Sequence, residues 1–129
     1  MTSFAEHPAP ATVVDHYLQA IERHDYDRAR ALLDERSFRY VSPISRFDDV
    51  ERFIEHMSLT GGILQRIEIR KQFVDGPDVC HFMVFHVQIS EKMKVDVVQW
   101  VQVREGRIAR IEALFDAHPY RILFESEAN

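Results

Sequence analysis

The chain has 129 residues, 46% of them hydrophobic and 29% charged, which is enough for one compact domain with its own core. The net charge of −5 comes from 16 basic and 21 acidic residues that alternate along the chain, so no basic face for nucleic acid is expected. No stretch nears the roughly 18 uninterrupted apolar residues of a membrane span. The single cysteine, Cys80, rules out an intrachain disulfide and fits a reducing compartment. The N-terminus lacks the charged start and apolar core of a signal peptide, and a cytoplasmic location is expected.

Residues 1–11 carry Pro8 and Pro10 and little periodicity, and read as a flexible arm. Thr12, with Asp15 three positions on, resembles a capping box. Val14, Tyr17, Leu18 and Ile21 then fall on one helical face that ends near His24. Asp25 opens a second short helix burying Tyr26, Ala29, Leu32 and Leu33. "SFRYVSP" reads as a short strand stopped by Pro43. Asp48 with Glu51 predicts another cap, and Val50, Phe53, Ile54 and Met57 give a third helical face running to Gly61-Gly62. The period then changes. "ILQRIEIRKQFV", "VCHFMVFHVQI", "MKVDVVQWVQV" and "RIARIEALF" are strand-like, separated by the turns "DGP", "SEK" and "REG".

Strands joined by tight turns pair antiparallel. Helices first and strands after imply an α+β domain with the helices on one face of a curled sheet. A single domain is expected over residues 12–124, with a frayed tail at 125–129. Tyr120, Ile122, Leu123 and Phe124 are too apolar for a free end and are expected to fold back over the pocket mouth or across a dimer.

Three strings, "VVDHYLQAIERHDYDRARALLDERSFRYVSP", "DDVERFIEHM" and "VREGRIARIEALFD", resemble the nuclear transport factor 2-like superfamily. The nearest flavour is its SnoaL-like and ketosteroid-isomerase-like branch. The resemblance implies a cone-shaped α+β fold, with three N-terminal helices on a curved, mostly antiparallel sheet. It also implies an apolar pocket between helices and sheet, and homodimers through the outer sheet face. Tyr17 stands where the isomerases keep an oxyanion donor. Ser42, before Pro43, stands at their general base, Gln99 at their second donor, and Ile54 at a supporting tyrosine. A serine hydroxyl is a poor base near neutral pH, which argues against steroid isomerisation. Tyr40 and Ser42 match the Tyr and Asn that hold water in the limonene-epoxide-hydrolase pattern, but Ala113 replaces the acid on its last strand. Asp116 recurs in related chains and reads as a rim acid or a solvated turn residue.

Strand alternation assigns the faces. With Gln99 inward, Val95, Val97, Val101 and Val103 share its side. On the preceding strand Cys80, Phe82, Val84, His86 and Gln88 are expected inward. Met83 and Phe85 are then expected outward, with Val98 and Trp100, as a homodimer interface. The expected pocket joins Tyr17, Tyr40, Ser42, His86 and Gln99 to Phe53, Met57, Phe82, Ile111, Ala113 and Phe115. Apolar walls with few polar groups suit a hydrophobic small-molecule ligand. His86 is the candidate that titrates near neutral pH, its tautomer fixed by Gln99 or Tyr17. His81 and His86, at odd spacing on a strand, cannot share an ion. Neither a Gly-rich phosphate loop nor a Ser-His-Asp signature is present, and no metal or cofactor is expected. Two function classes stay open. One is a cofactor-independent isomerase, cyclase or hydrolase on a hydrophobic cyclic substrate, with Tyr17 and His86 handling protons. The other is a non-catalytic ligand-binding or dimerisation module that has lost the catalytic acids.

Overall fold

The computed structural model describes residues 7–118. Helix α1, Pro10–Glu22, starts ahead of the expected capping box. Proline at the first helical position needs no N–H partner and is preset for the helix, so Thr12 is left exposed within the first turn. Val13, Val14, Tyr17, Leu18, Ala20 and Ile21 form its buried face. Asp25 caps α2, Tyr26–Ala31, accepting from the Arg28 N–H at 3.2 Å. Strand β1, Arg39–Val41, turns back through residues 42–45 into β2, Arg46–Phe47. A two-residue strand has no period of its own, so β2 is invisible in the sequence pattern. Helix α3, Val50–Thr60, is capped by Asp49, one residue beyond the expected Asp48. The Asp49 carboxylate accepts from the N–H groups of Glu51 and Arg52 at 2.8 and 3.2 Å.

A short 3-10 turn, Gly61–Ile63, leads into β3, Leu64–Asp75. Strands β4, Asp78–Gln88, β5, Lys92–Arg104, and β6, Arg107–Phe115, follow. The sheet order is β2-β1-β6-β5-β4-β3. All neighbours are antiparallel except β1 and β6, which run parallel with Tyr40 beside Ile111. The expected α+β architecture, three helices on a curved and mostly antiparallel sheet, is the one observed. Irregularities in β3 and between β5 and β6 interrupt the ladders and bend the strands. The β5–β6 turn uses Glu105 and Gly106, both at positive φ (51° and 78°), as a tight two-residue hairpin of this twist requires.

The helices cover the concave face. Glu22, at the end of α1, accepts from the Ile67 N–H at 2.8 Å, just beyond the first irregularity of β3. The His24 ring meets the Leu64 carbonyl at 3.0 Å. These two contacts fix the C-terminal end of α1 against the sheet and thereby orient Tyr17. Phe53 of α3 is fully buried among Phe38, Tyr40 and Phe47, with ring centroids at 5.0, 4.7 and 5.9 Å.

The expected facing of β4 is corrected. The residues facing the core are Val79, His81, Met83, Phe85 and Val87. Phe82 is exposed, and His86 pairs outside with Glu68 and Arg66 at 3.0 and 3.1 Å. The reason is hairpin parity. Three residues, 89–91, connect Gln88 to its partner Lys92, so odd positions face odd positions and His81 lies opposite Gln99. Met83 and Phe85 therefore leave the proposed interface, whereas Val98 and Trp100 do lie on the outer face. No helix among the described residues is long and apolar enough to cross a membrane. The expectations for residues 120–124 and for the tail lie outside the described residues.

Candidate functional site

A cavity of about 110 Å³ opens between α1, α3 and the concave sheet. Its apolar wall includes Leu18 and Ile21 of α1, Met57 of α3, Ile63 and Leu64, and the sheet residues Phe85, Val87, Val97, Ala113 and Phe115. The polar residues in the wall are Tyr17, Tyr40, Ser42, Ser45, His56, Thr60 and Gln99. Among the described residues, none that lines the cavity is Asp, Glu, Lys or Arg. An engineered apolar cavity of roughly 150 Å³ takes up benzene, so this volume corresponds to a ligand of about one ring.

Of the residues expected from sequence, Tyr17, Tyr40, Ser42, Met57, Gln99, Ala113 and Phe115 are brought together around the cavity. Phe53 and Ile111 are fully buried in the core behind it and do not line it. Phe82 and His86 lie on the opposite sheet face, so His86 cannot touch a molecule held with Tyr17.

Tyr17 is 2% exposed. Burial, reinforced by the neighbouring Tyr40 phenol, pushes its pKa well above the ordinary tyrosine range. Its hydroxyl is thus a neutral donor at physiological pH. Tyr40 is shifted the same way by burial, partly offset by a hydrogen bond with Ser42. Ser42 is used by the β1–β2 turn. Its hydroxyl accepts from the Ile44 N–H at 3.3 Å and lies 3.2 Å from the Ser45 hydroxyl. Short hydroxyl side chains commonly serve turns in this way.

The floor carries a second polar feature. Gln99 is 6% exposed and its Oε1 has no hydrogen-bond partner among the described residues. His81, directly across from it on β4 but not lining the cavity, is 1% exposed and its Nδ1 is likewise unpartnered among them. Native interiors leave few polar atoms in that state, because each costs about 1–3 kcal/mol. Burial lowers the His81 pKa, and the Asp15 carboxylate on α1 opposes the shift. The imidazole is therefore neutral at physiological pH.

Sequence reasoning missed His81 and His56. Hairpin parity would have turned His81 inward once Gln99 was set inward. His56 lies three residues after Phe53 and four before Thr60, on the flank of α3 that meets the cavity. Its ring packs against Phe47 with centroids 5.0 Å apart, and burial lowers its pKa. Among the described residues, no three of His, Cys, Asp and Glu are grouped to hold a metal ion.

This architecture, helices closing the concave side of a bent antiparallel sheet around an apolar cavity, is that of the NTF2-like proteins. Within them, the sequence profile of the SnoaL-like domain matches residues 14–111, and the chain belongs to that family. The fold is similar to an NTF2-like protein of unknown function from Cytophaga hutchinsonii. That match has a TM-score of 0.74 and 18% identity, and covers 87% of this chain and 94% of the other. It is similar to an LEH-like epoxide hydrolase of M. tuberculosis, with a TM-score of 0.75, 21% identity and 90% of each chain covered. A de novo designed protein with a curved β-sheet matches at a TM-score of 0.74 and 21% identity, over 90% of this chain and 92% of that one. At these identities the likeness establishes the fold alone. The search of curated proteins found no match.

Proposed function

We propose that the protein binds a small, largely apolar molecule of about one ring, its polar end held at the floor by Tyr17 and Gln99. The observation that carries this reading is the unpartnered Gln99 Oε1 in an otherwise apolar wall, beside a phenol held neutral by burial. A ligand hydroxyl or amide would donate to Gln99 and accept from Tyr17, satisfying both groups. The set is poor for carboxylate-based proton abstraction, since no acid among the described residues lines the cavity and the Ser42 hydroxyl serves its turn. This favours a binding module over an isomerase, epoxide hydrolase or cyclase working through a carboxylate. A thermal-shift screen of single-ring phenols, amides and ketones tests it. Hits that raise the melting temperature should lose about 1 kcal/mol of affinity in Tyr17→Phe, the net worth of one hydrogen bond. A screen without hits, or hits indifferent to both Tyr17→Phe and Gln99→Leu, would remove the reading.

We further infer that the outer sheet face pairs with a second copy. Phe73, Phe82, Val98, Trp100 and Leu114 stand there, four of them substantially exposed, in place of the Met83 and Phe85 expected from sequence. A contiguous apolar face of this kind favours burial against a partner. Leu114→Lys should shift the mass measured by light scattering from dimer to monomer, and a wild-type monomer at high concentration would end the idea.

A further inference from the structure

We propose that the cavity selects a small cyclic carboxylic acid, with the His56 imidazole as its proton acceptor and counter-ion. The inference rests on the ligand-binding reading above and names the ligand's charge class: the carboxylate meets His56, while a hydroxyl or amide elsewhere on the ligand is what donates to Gln99. Three features carry it.

The first is what the wall lacks. With no Asp or Glu among the described lining residues, an amine would leave water for a site without a counter-charge. With no Lys or Arg, a permanent anion would also find no fixed cation. The second is that His56 is, among the described residues, the one lining group whose ordinary titration range lies near neutral pH. Its ring has an aromatic neighbour, Phe47, and no hydrogen-bond or ion-pair partner among the described residues, which leaves its nitrogens uncommitted to them. The Thr60 hydroxyl next to it is already used, donating to the His56 carbonyl at 2.9 Å. The third is the supply of donors for an anion. The Tyr17 and Tyr40 hydroxyls border the cavity and can donate, and the Ser42–Ser45 hydroxyl pair, which spends one proton within itself, has one more to give.

The titratable and charged groups around His56 are few. Tyr17 of α1 and Tyr40 of β1 share the cavity wall, Arg46 and Asp48 flank Phe47, and Arg52 and Glu55 lie on α3 itself. None of them offsets the effect of burial, which alone holds the free imidazole neutral. A carboxylate beside it favours the protonated form. At neutral pH the dissolved acid is already ionised, so forming the pair takes one proton from solvent onto His56. The proton balance is thus one ligand anion and one proton entering together.

The experiment uses three probes with one carbon skeleton: phenylacetate, phenylacetamide and phenethylamine. Calorimetry of the full chain at pH 7, in buffers of different ionisation enthalpy, should give uptake of about one proton per phenylacetate and none per phenylacetamide. Phenylacetate affinity should fall as pH rises above neutrality while phenylacetamide affinity stays level. His56→Gln should weaken phenylacetate by about tenfold or more, the loss of a charged hydrogen-bond partner, and weaken phenylacetamide far less. NMR titration of the wild-type His56 ring needs no variant, and its apparent pKa should rise when phenylacetate is added. An acid that binds no better than the amide, without proton uptake and without a rise in that pKa, overturns the proposal and spares the ligand-binding reading. Tightest binding by phenethylamine also overturns it. If none of the three probes binds, both readings fall.

Discussion

Replacing Gln99 by Leu should make the protein more stable. Gln99 is almost fully buried, and its Oε1 has no partner among the described residues. Leu has a similar volume and no polar atom, so the substitution removes a desolvated acceptor without opening a void. An unsatisfied buried polar group costs about 1–3 kcal/mol. A domain of 129 residues has an unfolding entropy of about 270 cal/mol/K at its melting temperature, from roughly 2.1 cal/mol/K per residue. The expected gain is therefore about 4–11 °C in the ligand-free protein, read by calorimetry. Ligands that need the floor acceptor should bind the same variant less well. Stability and binding would then move in opposite directions, which is the mark of a polar group kept for function. A fall in melting temperature would show that the amide is held by the fold, and the argument for a ligand at Gln99 would go with it.

The strand register predicts unequal costs on β4. Met83→Ala should lose about 2–5 kcal/mol in denaturant unfolding, because Met83 is buried. His86→Ala should lose no more than about 1 kcal/mol, because its contacts with Glu68 and Arg66 are at the surface. The reverse order would restore the discarded facing. Asp49→Ala should cost about 1 kcal/mol as the cap of α3, and Asp48→Ala almost nothing, by the same measurement. Stability should also depend on pH through His56 and His81, whose pKa values are lowered in the fold. Between the folded pKa and the unfolded value of about 6.5, the unfolded chain binds more protons. Their contribution is thus complete above about pH 6.5 and is lost as pH falls below it. Melts of His81→Gln should show a weaker decline across that window than the wild type. An unchanged slope would mean that His81 is not held neutral.

The parts of the fold that were legible in the sequence are those with enough repeats of one period to fix their phase. Helix α1 presents four apolar positions at helical spacing, and in β5 the valines at 95, 97, 101 and 103 share one parity. The burial faces of both elements are the expected ones, although the inward facing of Gln99, a polar residue between the apolar Val98 and Trp100, came from the family resemblance and not from the period. Strand β4 gave no such phase. "VCHFMVFHV" is apolar at both parities because its outer face is apolar too, so alternation within the strand could not decide between His81 and His86. Only the length of the following loop could. The caps show the same limit on a smaller scale. Asp48 and Asp49 are chemically equal, and which one caps depends on where the chain leaves β2, a strand too short to read.

Phe53 and Ile111 were correctly expected to be apolar and inward, yet they sit behind the cavity wall. Burial and lining have the same sequence signature, and only the packing of Tyr40 and Phe47 over Phe53 separates them. A fold of this kind needs a filled core and paired buried polar atoms, and no unpaired polar group in its interior. What this chain adds beyond that requirement is therefore the informative part. Its aliphatic wall would pack as well with Leu at Gln99 and an apolar ring at His81. Each of these residues leaves a desolvated atom unpaired, a cost that a fold selected only for stability would shed. His56 adds an uncommitted imidazole at the wall of the same cavity. Gln99 and His56, which line the cavity, carry the argument for a ligand, rather than the serine at the position of a relative's base.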